Sequence, residues 1–188
     1  MRTGDTSAWV ELRQRNAGWM GPWEATPPGG GPPMAASRLV FAAMRRSLNR
    51  QARVGEALPF AITYDGRLAG QLTIASIVRG SLNSGFAGYW VDAAVAGRGV
   101  MPTALALAVD HCFDSVALHR IEVNIRPENL ASRRVVEKLQ FREEGVRSRY
   151  LHIDGAYRDH LGYALTVEDV PGGLLARWQR SQRVPPER

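Results

Sequence analysis

The chain has one cysteine in 188 residues, Cys112, so no disulfide can form within it. No apolar run approaches the ~20 residues that a membrane-spanning helix needs. The first residues, Met1-Arg2-Thr3-Gly4-Asp5, lack the apolar core of a signal peptide, and a cytoplasmic location follows as the default expectation. Aromatic residues make up only 8% of the chain, and no basic stretch is interleaved with them. That argues against DNA or another nucleic acid as the main partner. What is present is ordinary globular composition, 45% hydrophobic and 22% charged, in a length that suits one domain. The net charge of +6 and pI of about 10.2 favour anionic partners, a nucleotide-like molecule among them, although an arginine-rich genome would leave the same mark. Cys112 falls inside an apolar helix and reads as core filler rather than nucleophile.

Hydrophobic spacing predicts the elements. Trp9, Val10, Leu12, Trp19 and Met20 mark a helix over about 5–20, capped by Asp5 or Thr6. The proline- and glycine-rich stretch 22–33 must be loop. Ser37 caps a helix to about Gln51. The period then changes to two: strands run over 58–64, 68–78 and 84–91, the first pair turning at Asp65-Gly66. A helix over 103–116, a strand over 118–125 and a helix over 129–139 follow. Strands over 141–153 and 157–166 form a hairpin across Asp154-Gly155. The order ααβββαβαββ is a mixed α+β or α/β sheet flanked by helices. Residues 1–168 read as one domain, and the remainder to 188 as a frayed basic tail.

The most informative stretch is Gly88 to Ala104: a buried strand, a short glycine turn and the start of an apolar helix. Gly97 and Gly99 flank Arg98, so successive backbone N–H groups can form a concave nest, and the helix after them adds its positive end. Such a turn suits a phosphate. The donors expected there belong to Arg98, Gly99, Val100 and Met101, because Pro102 has none. A P-loop would need Gly-Lys-Ser/Thr, and a dinucleotide fingerprint a third glycine where Pro102 stands; neither is met. A plain strand-to-helix turn using glycine for geometry is the alternative.

Around this turn, further segments stand in fixed order: Tyr89-Trp90-Val91-Asp92, His119-Arg120-Ile121-Glu122, Arg126-Pro127-Glu128-Asn129-Leu130-Ala131-Ser132, Glu137-Lys138-Leu139-Gln140-Phe141 and Asp154-Gly155-Ala156-Tyr157-Arg158-Asp159-His160. The series resembles the GNAT acetyltransferases, in particular the RimJ/RimL-type enzymes that acetylate ribosomal-protein N-termini, over about residues 5–167. The resemblance implies a sheet splayed between the strand ending at Val91 and the strand starting at Leu118. It implies acetyl-CoA as donor, without a metal, its pyrophosphate on Gly97, Arg98, Gly99, Val100 and Met101. It also implies a backbone N–H near Val91 that polarises the thioester carbonyl, in keeping with oxyanion-site physics. Asn129 would bond the cofactor arm, though it is also a good helix N-cap. Ser132 would protonate the leaving thiolate. Arg133 and Arg134 stand where they could meet the 3′-phosphate, or simply be solvated.

Several positions depart from the family pattern. Ala96 replaces a polar residue, Met101 a small one and Gln140 a glycine, and a first strand before Asp5 is missing. Leu151 stands where RimL-type enzymes carry a glutamate, which leaves Asp92, Glu122 and His152 as candidate bases. Glu122 serves equally as a salt-bridge partner of Arg98 or Arg120. For the acceptor pocket, Trp23 and Tyr89 are the better candidates among the aromatics Trp23, Tyr89, Trp90, Tyr150 and Tyr157. An α-amine, with a pKa of about 7.7–8.0, is ~10% free base at neutral pH, whereas lysine needs more than ~3 units of help. A weak base therefore suits an N-terminal amine attacking directly. Three functions stand: acetylation of a protein N-terminus such as a ribosomal one, acetylation of a small amine, or a non-catalytic acyl-CoA-binding module. The chain is expected to act as a monomer or homodimer, away from membranes.

Overall fold

Six strands form one sheet in the order β1-β2-β3-β4-β6-β5: β1 Leu58–Tyr64, β2 Arg67–Val78, β3 Ser84–Val91, β4 Arg120–Ile125, β5 Arg142–Ile153 and β6 Ala156–Thr166. The computed structural model describes residues 1–29 and 35–183; residues 30–33 of the expected loop and 184–188 of the expected tail lie outside them. All neighbouring strands are antiparallel except β3 and β4, which are parallel. The helices are α1 Thr6–Arg15, α2 Ala17–Met20, α3 Arg38–Arg53, α4 Val100–Asp114, α5 Leu130–Lys138 and α6 Leu174–Arg183. This is the mixed sheet flanked by helices that the pattern of periods predicts.

Alternation divides the sheet into two faces. Leu72, Ile74, Ala87, Ile121, Val123 and Ile125 pack with Leu105, Val109 and Cys112 of α4 in the main core. Burial pushes the Cys112 thiol up to about 12, which suits its role as inert filling. The opposite face receives α1 and α3. Trp9 of α1 donates to Gln71 of β2 at 3.3 Å, and its ring meets the buried Phe41 of α3 at 5.3 Å. Ser37 caps α3 by accepting from Val40 N at 3.2 Å.

Two expectations are corrected. The single helix over 5–20 is broken at Asn16, whose buried side chain turns away to bond Leu12 O at 2.9 Å and Asp92 at 2.9 Å. The tail is also not frayed over its described part. Leu174 and Trp178 share one face of α6 and are 0% and 6% exposed. The Asp110 carboxylate of α4 accepts from Leu174 N at 2.6 Å and Leu175 N at 3.0 Å, so it caps the first turn of α6. Trp178 Nε1 donates to Thr103 Oγ1 at 2.9 Å. The basic residues that suggested a solvated tail lie on the other side of an amphipathic helix.

Trp178→Ala should therefore lower the unfolding free energy by about 3–5 kcal/mol in urea titration. Leu39→Ala, at a side chain 83% exposed, should stay within about 0.5 kcal/mol.

Candidate active site

The ladder between β3 and β4 covers only Ser84–Phe86 against Arg120–Glu122; beyond it both strands run on without pairing to each other. The sheet thus opens a wedge between residues 87–91 and 123–125. Asp92 N donates to Ala69 O of β2 at 2.8 Å. Because successive residues of a strand direct their backbone groups to opposite sides, the N–H groups of Tyr89 and Val91 face the wedge. Val91 accordingly has the position expected of it.

After β3 the chain makes a short 3₁₀ turn, Ala93–Val95, and enters α4 through Gly97 (φ 78°) and Gly99 (φ 79°). Both glycines lie in the left-handed region, where a side chain is strained. Among the described residues, the N–H groups of Gly97, Gly99, Val100 and Met101 find no protein acceptor. The N–H of Arg98 is instead turned back to Val95 O at 3.4 Å. The Arg98 side chain lines a separate cavity of about 520 Å³ bounded by β1, α4 and α6. The expected donor set is corrected in one member, Gly97 for Arg98. Four free donors at a helix start form a site for an anionic group.

This turn opens onto a cavity of about 640 Å³ whose lining includes Val91, Gly97, Gly99, Met101, Asn129, Ser132 and Arg134 together with Arg13, Trp19, Trp23, Glu24, Tyr89 and Trp90. Asn129 caps α5: its Oδ1 accepts from Ser132 N at 3.1 Å. Ser132 Oγ donates to the Tyr89 hydroxyl at 3.0 Å. Burial pushes the Tyr89 phenol above its ordinary value, and the bond from Ser132 only partly offsets this. Tyr89 thus belongs to a hydroxyl pair across the wedge as well as to the pocket wall. Arg134 is in the cavity, whereas Arg133 is spent on Pro127 O at 3.2 Å and Glu137 at 3.7 Å.

Two of the candidate bases, Asp92 and Glu122, have their oxygens engaged, and the third, His152, is not among the residues lining the cavity. Asp92, 6% exposed, accepts from Arg15 Nη2 at 2.5 Å, Asn16 Nδ2 at 2.9 Å and Ala94 N at 3.2 Å. Burial by itself would raise its pKa, but the bonds from Asn16, Ala94 and Arg15 outweigh it and hold the carboxyl below its usual value. Glu122, 7% exposed, lies on the sheet face away from α4, with one oxygen on Arg120 Nε at 2.9 Å and the other on Arg147. Of its two expected roles the structure keeps the salt bridge. The ring Nδ1 of His152 meets the Thr26 hydroxyl at 2.9 Å and ties the loop after α2 to β5. Leu151 pairs with Arg158 across the hairpin, so no carboxylate stands at that register.

Sequence reasoning missed the wall built by the first two helices. Arg13 stacks over Trp90 at 5.6 Å and pairs with the Glu24 carboxylate. Trp23 lies under Arg126 at 5.5 Å. Nothing in the local sequence marks Arg13 or Glu24, because they meet only when the chain folds back after α2.

A family model described as the acetyltransferase (GNAT) domain matches residues 1–142. The chain belongs to the GNAT acetyltransferase family. Among GNAT structures, Mycobacterium smegmatis RimJ in complex with CoA-disulfide superposes with a TM-score of 0.92 at 40% identity, over 97% of this chain and 87% of that one. The ribosomal-protein-S5-alanine acetyltransferase of Vibrio fischeri gives 0.80 at 25% identity, over 91% and 93%. Among curated GNAT proteins, the probable N-acetyltransferase YjcK of Bacillus subtilis is 41% identical over 105 residues, 56% of this chain and 58% of that protein. The Escherichia coli [ribosomal protein uS5]-alanine N-acetyltransferase is 33% identical over 128 residues, 66% of each. The chain thus spans between 58% and 66% of the length of these curated relatives. Among the described residues no helix is long and apolar enough to cross a membrane, and no cluster of metal-ligating side chains occurs.

Asp92 predicts a pH signature. Its folded pKa lies below the unfolded value of about 3.9, so its contribution to stability is complete at neutral pH and is lost as pH falls through the folded value. Asp92→Asn should cost about 1–3 kcal/mol at pH 7. Urea titrations across pH should show the gap to the parent protein closing below about pH 4.

Proposed function

We propose that this protein transfers the acetyl group of acetyl-CoA to the α-amine of a protein N-terminus, with a ribosomal protein as the acceptor, in the cytoplasm. The observation that carries the reading is the run of four unpartnered amides at Gly97, Gly99, Val100 and Met101, opening onto a wedge in the sheet. Similarity to proteins named as CoA-bound RimJ and as uS5-alanine acetyltransferases supports the donor and the acceptor class.

In this reading the free amides hold the pyrophosphate, and Arg134 stands over the cavity as the cation for a further phosphate. The pantetheine arm lies along the free edge of β3, with Asn129 beside it. The N–H of Val91 faces the thioester oxygen, where negative charge develops. The acceptor enters between Trp19, Trp23 and Trp90, where the Glu24 carboxylate lines the cavity and attracts its ammonium. The amine nitrogen bonds to the acetyl carbon as the carbon–sulfur bond breaks. The sulfur takes a proton from the Ser132 hydroxyl, which Tyr89 positions by accepting from it at 3.0 Å, and the proton the amine gives up to water in the cleft restores the serine. With Asp92 and Glu122 engaged and His152 outside the cavity lining, the route relies on the low pKa of an α-amine, about 7.7–8.0, rather than on a strong protein base.

Calorimetry with acetyl-CoA, followed by CoA release on a panel of N-terminal peptides and small amines, tests this. Binding with turnover on peptides is expected. Preference for a small amine would move the acceptor class, and binding without turnover on any amine would make the protein an acyl-CoA-binding module. The rate on peptides should rise about tenfold per pH unit below about 7.7 and flatten above it. Ser132→Ala should lower kcat by about 10²-fold while leaving acetyl-CoA affinity within a few-fold.

A further inference from the structure

The outer side of α3 carries a concentration of charge that the acetyl-transfer reading does not use. Its 16 residues, Arg38–Arg53, include Arg38, Arg45, Arg46, Arg50 and Arg53 and no acidic residue. Arg46, Arg50 and Arg53 follow the i, i+4, i+7 spacing of one helix face, and Arg38 and Arg45, seven apart, form the adjoining row. Four of the five are exposed and Arg45 is half-buried. None forms an ion pair among the described residues, whereas Arg13, Arg15, Arg120, Arg126, Arg133, Arg142, Arg147 and Arg158 are all paired with carboxylates. The row runs for about 22 Å at 1.5 Å per residue. All five are arginines, whose planar forks suit phosphate oxygens.

We infer that the outer face of α3 docks the phosphate backbone of structured RNA, holding the enzyme beside its acceptor. A row of cations is sufficient for a polyphosphate, which binds by releasing counterions and needs no apolar anchor. A protein partner would need desolvated anchors, and the large apolar side chains exposed along this row among the described residues are only Leu39 and Val54, at its two ends. A bilayer would need the apolar side of the helix, which is already committed: Phe41 is 1% exposed and packs on Trp9. The position of the face fits the role. α3 packs on α1 and β1, on the side of the sheet from which Arg13 and Trp90 wall the acceptor half of the cavity. The choice of RNA over DNA rests on the ribosomal acceptor proposed above. The arginines are scattered in sequence among small and apolar residues, and the helix gathers them.

The test measures binding of the full chain to a ribosomal RNA hairpin, to duplex DNA of equal length and to phosphatidylserine vesicles, across a salt series. The parent protein should prefer the RNA hairpin. The variant R46Q/R50Q/R53Q should flatten the slope of log affinity against log salt by about 3, roughly one per lost phosphate contact. A control with the same charge change at exposed, unpaired positions elsewhere, R67Q/R180Q/R183Q, should leave the slope within about one. Should the α3 triple variant fail to fold, Arg50→Glu carries the same expectation for a single contact. Equal losses in both triple variants would reduce the effect to bulk charge and overturn the inference, as would stronger binding to DNA or vesicles, or none to RNA. CoA release on free peptides, measured on the same proteins, should be unchanged by the α3 variant. Its absence in the parent protein would overturn the acceptor reading separately from RNA docking.

Discussion

The buried carboxylate of Asp92 is the fixed point of this molecule. It sits where β3 ends, takes three hydrogen bonds from Arg15, Asn16 and Ala94, and joins elements 76 and 77 residues apart. Asn16 completes the knot by accepting from Ala93 N at 2.9 Å. A charge this deep is tolerable only when its lone pairs are occupied, so the three donors are obligatory rather than incidental. They fix the break between α1 and α2, the entry into the glycine turn and the direction in which four amides are left free. The free amides and the cavity wall beside them are therefore set by one interaction.

The second constraint is the early end of the β3–β4 ladder. Unpaired strand edges inside a sheet would ordinarily be covered, since each bare amide or carbonyl buried without a partner is costly. Here the edge opens into a cavity, where a ligand in extended form can supply the missing partners. The division of labour follows. In the proposed reaction backbone amides bind and polarise and the Ser132–Tyr89 hydroxyls stand by the leaving group, while the carboxylates of Asp92 and Glu122 are held in hydrogen bonds and ion pairs of the fold. A reaction on an amine that is already partly unprotonated at neutral pH fits such a site.

Charge is distributed with the same logic. Most arginines near the sheet are neutralised in pairs, and Glu122 lies between two of them. Five of the arginines without an ion pair among the described residues stand together on the outside of α3, and others, such as Arg67, Arg180 and Arg183, are scattered. Net charge alone gives no hint of this arrangement, because it sums over paired and unpaired groups alike.

Local patterns were enough for the element order, the left-handed glycines at 97 and 99, and the caps at Ser37 and Asn129, because each depends on residues within one or two turns of chain. The spacing of Leu174 and Trp178 was also present locally, but basic neighbours obscured it until the carboxylate of Asp110 supplied the cap. Contacts between distant segments required the fold. In sequence Asp92 and Glu122 stand open between base and structural partner, and only packing shows that their lone pairs are occupied by Arg15, Asn16, Arg120 and Arg147. Glu24 and Arg13 could not be found at all, for the opposite reason: their proximity is created by the turn after α2. Sequence determines periodicity and backbone permission, which are short-range. Tertiary structure decides which polar groups remain unspent, because that is a balance among partners far apart along the chain.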